Sequence, residues 1–281
     1  RGSLGRGAFV DRLLERIDDP AGLAVAVPPS RVDVVELLLR GGYPSIREAG
    51  TRLRTAWLSD YVERMLGVDA REGGGRLDPL RLAAVLRLIA ANQSGELVKA
   101  RIAQEAALSA ASVTGYLDAL DRLYLTEDLH PWAVNLTARE IGRRKVRVGD
   151  SGLAAWLCGA SVGLLKDVVR GGKVFGALLE GFVVGELSAQ AGWAEVDYRL
   201  YHYRDRRGLE VDVIIELGDG RVIAVEVKSA AGLTGRHFAG LTDLKRKLGD
   251  RLAAGVVLAP VDEPMRYAEG LWGLPLNTLW E

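Results

Sequence analysis

Two runs of β-branched residues alternate apolar and charged positions on either side of a Gly-Asp-Gly turn. They cover residues 210–217 and 221–228. A three-residue loop places Leu217 opposite Arg221, and the apolar side chains of one face then all meet apolar partners. A shift of one residue would mix apolar and charged side chains on both faces. The pattern therefore predicts an antiparallel hairpin with this register.

The predicted register sets Asp212 directly opposite Glu226, with Lys228 on the same face two residues further on. Like charges in directly opposed positions destabilise a sheet, whereas a divalent cation between them would reverse that effect. A metal generates hydroxide and neutralises phosphate charge, and a lysine can hold the attacking water. The three residues therefore favour metal-assisted phosphodiester cleavage. The alternative is a solvated strand face that carries a Glu210–Lys228 pair.

A segment that is apolar nearly all round, residues 174–187, precedes the hairpin and predicts a buried helix. Glu180 lies in line with Val183, Val184 and Leu187 at helical spacing, so it points at packed neighbours. An unpaired buried carboxylate is costly, and this favours a site role for Glu180. The alternative is a carboxylate near the exposed amides of a helix start.

This arrangement resembles the PD-(D/E)XK nuclease-like superfamily, whose signature Asp212 and the Glu226-Val227-Lys228 run match. Its members usually carry a further glutamate on the preceding helix, where Glu180 stands here. The resemblance implies that Asp212 and Glu226 bind Mg²⁺ or Mn²⁺, with Glu180 as a third or water-bridged ligand. It also implies that Lys228 positions the attacking water.

The elements around the hairpin follow the order of that superfamily's core over about residues 172–262. Residues 198–204 alternate as a strand, and residues 238–249 form an amphipathic helix that ends at a glycine. The apolar run 253–258 fits a buried parallel strand. With the helix at 174–187, the predicted order is helix, three strands, helix, strand.

Residues 78–150 have the pattern of a winged helix-turn-helix. Helices are predicted at 80–91, 99–106 and 111–124, with a break at 95–97 and an extended wing at 125–132. The exposed positions of the third helix are neutral or acidic, which predicts weak readout of DNA by that helix. They are Ser109, Ala110, Ser112, Thr114, Asp118 and Asp121. The alternative role is packing, dimerisation or coupling to an ATPase.

Basic residues cluster directly after the predicted wing. This run is the best local candidate for a surface that binds a nucleic-acid backbone, although charge runs are usually solvated faces. The candidates are Arg139, Arg143, Arg144, Lys145 and Arg147.

Composition narrows the function classes. Lys plus Arg equals Asp plus Glu at 37 each, so nucleic-acid binding must rest on a local patch. The single Cys158 excludes an internal disulfide framework and fits a cytoplasmic location, and three scattered histidines argue against structural zinc. No apolar run reaches membrane-spanning length, so no membrane association is expected.

Nearly the whole chain resembles the C-terminal part of a bacterial and archaeal AAA-type ATPase family with a winged helix and a restriction-endonuclease-like tail. The matching segments include Gly41-Gly42-Tyr43-Pro44, Asp150-Ser151-Gly152-Leu153 and Phe238-Ala239-Gly240-Leu241. No G-x-x-x-x-G-K-[ST] motif occurs, so this chain should neither bind nor hydrolyse ATP. The resemblance implies an upstream P-loop ATPase domain in the parent protein.

The predicted fold class is α/β, or α+β overall: a helical and winged-helix N-terminal part precedes a nuclease-like α/β domain with a mixed central sheet. Predicted domains are a helical segment at 1–77 (a remnant or lid beside an absent ATPase core), the winged helix at 78–150 and the nuclease-like domain at 151–281. The expected function is a Mg²⁺-dependent nuclease-like module whose partner is nucleic acid, DNA in the first place. A homo-oligomer is compatible with it. The alternative is a non-catalytic interaction or regulatory module on a degenerate nuclease fold.

Overall fold

A computed structural model describes residues 7–23, 27–72, 77–133 and 142–280, and of residues 68–72 the backbone alone. The fold is mixed α+β, as the sequence predicts. The helices are α1 (Phe9–Glu15), α2 (Arg31–Arg40), α3 (Thr51–Glu72), α4 (Pro79–Ala91), α5 (Lys99–Glu105), α6 (Ala110–Arg122), α7 (Ser151–Leu157), α8 (Val162–Lys166), α9 (Val168–Gln190) and α10 (Ala239–Leu248).

The strands form two sheets, one of six strands and one of three. They are β1 (Gly95–Glu96), β2 (Thr126–Leu129), β3 (Lys145–Val148), β4 (Tyr198–Arg204), β5 (Glu210–Leu217), β6 (Val222–Val227), β7 (Leu252–Ala259), β8 (Met265–Ala268) and β9 (Leu271–Pro275).

The chain divides into two compact units. The first comprises Arg1–Val34, Leu129–Gly142 and Phe182–Glu281, and the second comprises Val35–Asp128 and Arg143–Gly181. These units are defined by packing alone. The division predicted from sequence, at residues 77/78 and 150/151, stays a prediction.

The six-stranded sheet belongs to the first unit and has the order β4-β5-β6-β7-β9-β8. β6, β7 and β9 run parallel to one another, whereas the pairs β4–β5, β5–β6 and β8–β9 are antiparallel, so the predicted mixed central sheet is confirmed. β7 extends the predicted apolar strand by one residue at each end and is buried along nearly its whole length. The edge strand β8 and its neighbour β9 were not predicted.

The hairpin of β5 and β6 has the predicted register. Val213 pairs with Val225, and Ile215 pairs with Ile223. The Leu217 amide donates to the Arg221 carbonyl at 2.9 Å, which closes the three-residue loop. Gly220 has φ +84°, a conformation that glycine adopts without steric cost.

The hairpin is buried on both faces, and α10 packs across the face that was expected to be solvated. Ile214 and Ala224 are fully buried in a core with Leu241 and Leu244 of α10. The predicted alternative of a solvated strand face is therefore wrong. Its cross-strand pair is also replaced, since Glu210 ion-pairs with Arg204 of β4 at 2.8 Å.

The second unit contains the helices α4, α5 and α6 and the three-stranded sheet of order β1-β3-β2. Asp78 caps α4 by accepting from the Leu80 amide at 2.9 Å, and Ser109 caps α6 by accepting from the Ser112 amide at 3.2 Å. The predicted break at 95–97 contains the two-residue strand β1, which pairs with β3. α6 ends at Arg122, two residues early, because Tyr124 adopts φ +55°.

Candidate functional site

Asp212 and Glu226 face each other at the end of the β5–β6 ladder, one position beyond the Val213–Val225 pair. Their accessible fractions are only 7% and 9%. The predicted convergence of the two carboxylates is thus present in the structure, and it lies in the interior of the first unit. Burial makes the pair electrostatically expensive unless hydrogen bonds or cations compensate.

Backbone amides and one lysine hold these carboxylates. Asp212 Oδ2 accepts from the Val227 amide at 2.8 Å, and Glu226 Oε2 accepts from the Asp212 amide at 3.3 Å. Lys228 Nζ lies 2.5 Å from Glu226 Oε1 and 3.9 Å from Asp212 Oδ2. The backbone amide of Lys228 donates to the Leu258 carbonyl, which fixes the end of β6 beside β7. The three predicted residues therefore form one cluster.

The cluster shifts the titration of Glu226. Burial first, and the charge of Asp212 next, raise the pKa of this carboxyl, which is about 7. Lys228 opposes both effects through its charge and its hydrogen bond. A divalent cation would stabilise the ionised pair for the same electrostatic reason that lysine does.

Two further residues of the first unit lie beside this cluster and were missed by the sequence analysis. Arg31 Nη1 donates to the carbonyl of Ser229, the residue after Lys228, at 3.5 Å. Burial and the charge of Lys228 lower the pKa of His237. His237 Nδ1 accepts from the Thr234 amide at 3.1 Å, so a neutral ring carries its proton on Nε2. No motif spacing connects either residue to the hairpin.

Glu180 belongs to the second unit and forms an ion pair within it. Its Oε1 accepts from Lys145 Nζ at 2.8 Å, and the two side chains are 19% and 8% exposed. A lysine thus supplies the compensation that a buried carboxylate requires. The assignment of Glu180 as a third metal ligand stays a prediction.

Removing Lys145 should take away the ammonium group that compensates the charge of Glu180 in the interior. We expect Lys145→Ala to lower the free energy of unfolding by about 3 kcal/mol, measured by urea denaturation. The double variant Lys145→Met/Glu180→Leu should recover most of this loss. Arg143→Ala is the control, because the Arg143 side chain is 70% exposed and should change stability by less than about 0.5 kcal/mol. An equally small change in Lys145→Ala would contradict the structural role of the pair.

The other residues of the predicted basic patch also face carboxylates. Arg143 lies 3.6 Å from Glu96, Arg144 contacts Asp128, and Arg147 is 5% exposed and contacts Glu127. Of these cations Arg143 is the most exposed, and Arg139 lies outside the described residues. Most of this positive charge is therefore engaged in ion pairs, which limits what it can offer a phosphate backbone. The patch stays a prediction as a binding surface.

The described part of the chain has neither a cluster of three or more metal ligands nor a membrane-spanning helix. It contains no group of three or more His, Cys, Asp or Glu side chains placed to hold a metal ion. Asp212 and Glu226 suffice for Mg²⁺, which binds through one or two carboxylates and keeps several waters. None of the described helices has the length and apolar character needed to cross a bilayer.

Comparison with known proteins identifies two regions of unknown function. Residues 175–279 match the domain of unknown function DUF4143, which occurs in AAA-ATPase-associated proteins. Residues 31–163 match a second domain of unknown function, DUF8612. The match to DUF4143 contains the Asp212–Glu226–Lys228 cluster. No solved structure matches the chain.

Two curated relatives come from mycobacteria. The chain is 28% identical over 247 residues to an uncharacterized protein of Mycobacterium tuberculosis and, to the same extent, to one of Mycobacterium bovis. The alignments cover 81% of this chain and 54% of each relative. The chain therefore spans about half the length of these relatives.

Proposed function

We propose that the first unit is a Mg²⁺-dependent phosphodiesterase module that acts on nucleic acid. The convergence of the buried Asp212 and Glu226 with the partly exposed Lys228 carries this proposal. Two opposed carboxylates next to an ammonium group are the residue types that metal-assisted phosphodiester cleavage uses. The order helix, three strands, helix, strand supports the likeness to PD-(D/E)XK nucleases.

Each residue has a distinct task in this proposal. Asp212 and Glu226 supply the negative charge that holds Mg²⁺, and the backbone amides of Val227 and Asp212 keep both carboxylates oriented. When bound, the metal would neutralise phosphate charge and activate water. Lys228 Nζ, oriented by Glu226 Oε1, holds the attacking water or the developing negative charge. In this proposal Arg31 and His237, beside the cluster, would bind a neighbouring phosphate group.

We extend the proposal to the rest of the chain as the C-terminal part of an AAA-type ATPase. The occurrence of DUF4143 in AAA-ATPase-associated proteins supports it, with an upstream P-loop domain as partner and the cytoplasm as location. The order α4-β1-α5-α6-β2-β3, with β3 central in its sheet, supports a winged helix. Asp118 and Asp121 on the exposed face of α6 favour protein coupling over DNA readout by this element.

A non-catalytic interaction module is the second candidate. One observation favours it: Lys228 already forms an ion pair with Glu226, and such a pair can be purely structural. In that case the cluster would stabilise the end of β6 and bind no metal.

Cleavage assays on the wild-type chain separate these candidates. We expect Mn²⁺ and Mg²⁺ to support cleavage of labelled single-stranded and double-stranded DNA and RNA, and EDTA to abolish it. Lys228→Met should remove the activity, whereas the conversion of the exposed Arg236 to Met should preserve it. Absence of cleavage on every substrate, with either metal, would leave the interaction module as the function.

A further inference from the structure

A cavity of about 360 Å³ lies within the second unit, between α2, α3 and the segment that follows α7. This volume is in the range of small-molecule sites, which bury most of their ligand. The walls contain two arginines, a glutamate and a tryptophan: Arg40, Arg54, Glu36 and Trp156. It shares no residue with the Asp212–Glu226–Lys228 cluster, and nothing in the proposed phosphodiesterase mechanism uses it.

The two arginines make the cavity suited to an anion. Arg54 Nη2 donates to the Ala49 carbonyl at 2.7 Å, which orients the guanidinium, while the buried Nε has no hydrogen-bond partner. Within the described residues, neither Arg54 nor Arg40 has a carboxylate within ion-pair distance. Arg54 lines the cavity and is only partly buried, so the N–H groups of its guanidinium that Ala49 does not use can be offered to a phosphate.

Hydroxyl groups at the start of α3 add to this preference. Thr51 begins the 22-residue helix, and Thr55 lies one turn later; both line the cavity with Arg54. The N-terminal end of a helix carries partial positive charge and favours bound phosphate. One arginine, two hydroxyl groups and a helix terminus thus meet on the wall formed by α3.

The opposite wall is held rigidly at the end of α2. Gly41 adopts φ +67°, and the Gly42 amide donates to Asp150 Oδ2 at 2.6 Å. Gly152 packs so closely that a Cβ there would lie 3.0 Å from the Gly41 Cα. Arg40 therefore extends from a fixed backbone, and preorganised groups lose less entropy on binding.

The aromatic and acidic side chains of the cavity favour a ligand with a planar ring and hydroxyl groups. Trp156, with Leu39 and Leu58, provides a surface on which a planar base can stack. Glu36 stands one turn from Arg40 and forms no ion pair with it, so its carboxylate can accept from sugar hydroxyls, as acidic residues do in dinucleotide sites. We infer that this cavity binds a free nucleoside monophosphate, with the phosphate at Arg40, Arg54 and Thr51 and the base at Trp156.

Isothermal titration of the full chain with AMP, GMP, CMP and UMP tests this inference. We expect at least one nucleotide to bind. Its unphosphorylated nucleoside and inorganic phosphate should each bind at least about tenfold more weakly than the nucleotide itself. Arg54→Gln and Arg40→Gln should each weaken binding about tenfold, and Trp156→Phe should weaken it less. Arg52→Gln is the matched control, because Arg52 is exposed on α3 and does not line the cavity.

Several results would overturn the inference. They are the absence of binding at millimolar nucleotide, equal binding of inorganic phosphate and nucleotide, and unchanged affinity in Arg40→Gln/Arg54→Gln variants that melt like wild type. Equal competition by a 5′-phosphorylated oligonucleotide would assign the cavity to a strand end in place of a free nucleotide. The cleavage of nucleic acid by the Asp212–Glu226–Lys228 cluster is assayed separately. A failure of nucleotide binding in this cavity therefore leaves the proposed phosphodiesterase function unaffected.

Discussion

Asp212→Asn is expected to abolish metal-dependent cleavage and metal-induced stabilisation in the same protein. Asparagine keeps an oxygen that can accept from the Val227 amide, which in the wild type donates to Asp212 Oδ2 at 2.8 Å. It removes the negative charge opposite Glu226, however, and a single carboxylate should hold Mn²⁺ poorly. Cleavage should fall by about 100-fold or more, since the group that positions the metal is lost.

Thermal and urea unfolding measure how much the metal stabilises the wild type and the variant. A metal that binds only the folded site stabilises it by about 2.7 kcal/mol at 100 times its Kd. We expect Mn²⁺ to raise the unfolding free energy of the wild type by this order and to leave Asp212→Asn unchanged. Without metal, the variant should be as stable as the wild type or more so, because the repulsion with Glu226 is gone.

The exposed Asp118 provides the matched control, since Asp118→Asn should keep both the metal response and the cleavage. An identical wild-type melt with and without millimolar Mn²⁺ would show that the carboxylate pair is no metal site. The Glu226–Lys228 pair would then be structural, and the interaction module would be the better account.

Stability without metal should fall as the pH rises from about 4.5 to about 7, and Glu226 should cause this fall. Its pKa is raised from an ordinary value of 4.5 to about 7, first by burial and then by the charge of Asp212. Between these values the folded state retains a proton that the unfolded state has lost, so stability decreases with pH. The contribution is up to about 3 kcal/mol.

Glu226→Gln isolates this effect, because glutamine resembles the protonated glutamate and does not titrate. The difference in unfolding free energy between variant and wild type should grow across this pH window, with metal-chelating buffer present. Glu263→Gln, on an exposed side chain, should run parallel to the wild type. Asp243 does not interfere, since Lys247 first and Arg246 next lower its pKa to about 2, outside the window. A flat difference between wild type and Glu226→Gln would mean that Glu226 titrates normally.

Local periodicity explains which elements sequence reasoning predicted well. Strand alternation and a glycine turn together specified the β5–β6 register, because a one-residue slip would bury charge on both faces. The same logic placed the strand at 198–204 and the helix that ends at Gly249. β8 and β9 escaped prediction because β9, Leu271–Pro275, is short, buried at every position and shows no alternation.

The sequence by itself therefore determined the mixed α+β class, the hairpin and the approach of Asp212, Glu226 and Lys228, since all three lie within one short local structure. Only the tertiary structure decided the burial of Asp212 and Glu226 and of the hairpin face that α10 covers, because elements outside the hairpin determine which of its side chains lose contact with water. It also decided that Lys145 pairs with Glu180, 35 residues away, and that Arg40, Arg54 and Trp156 line one cavity. Spacing along the chain carries no information on such contacts, because they depend on how distant elements pack.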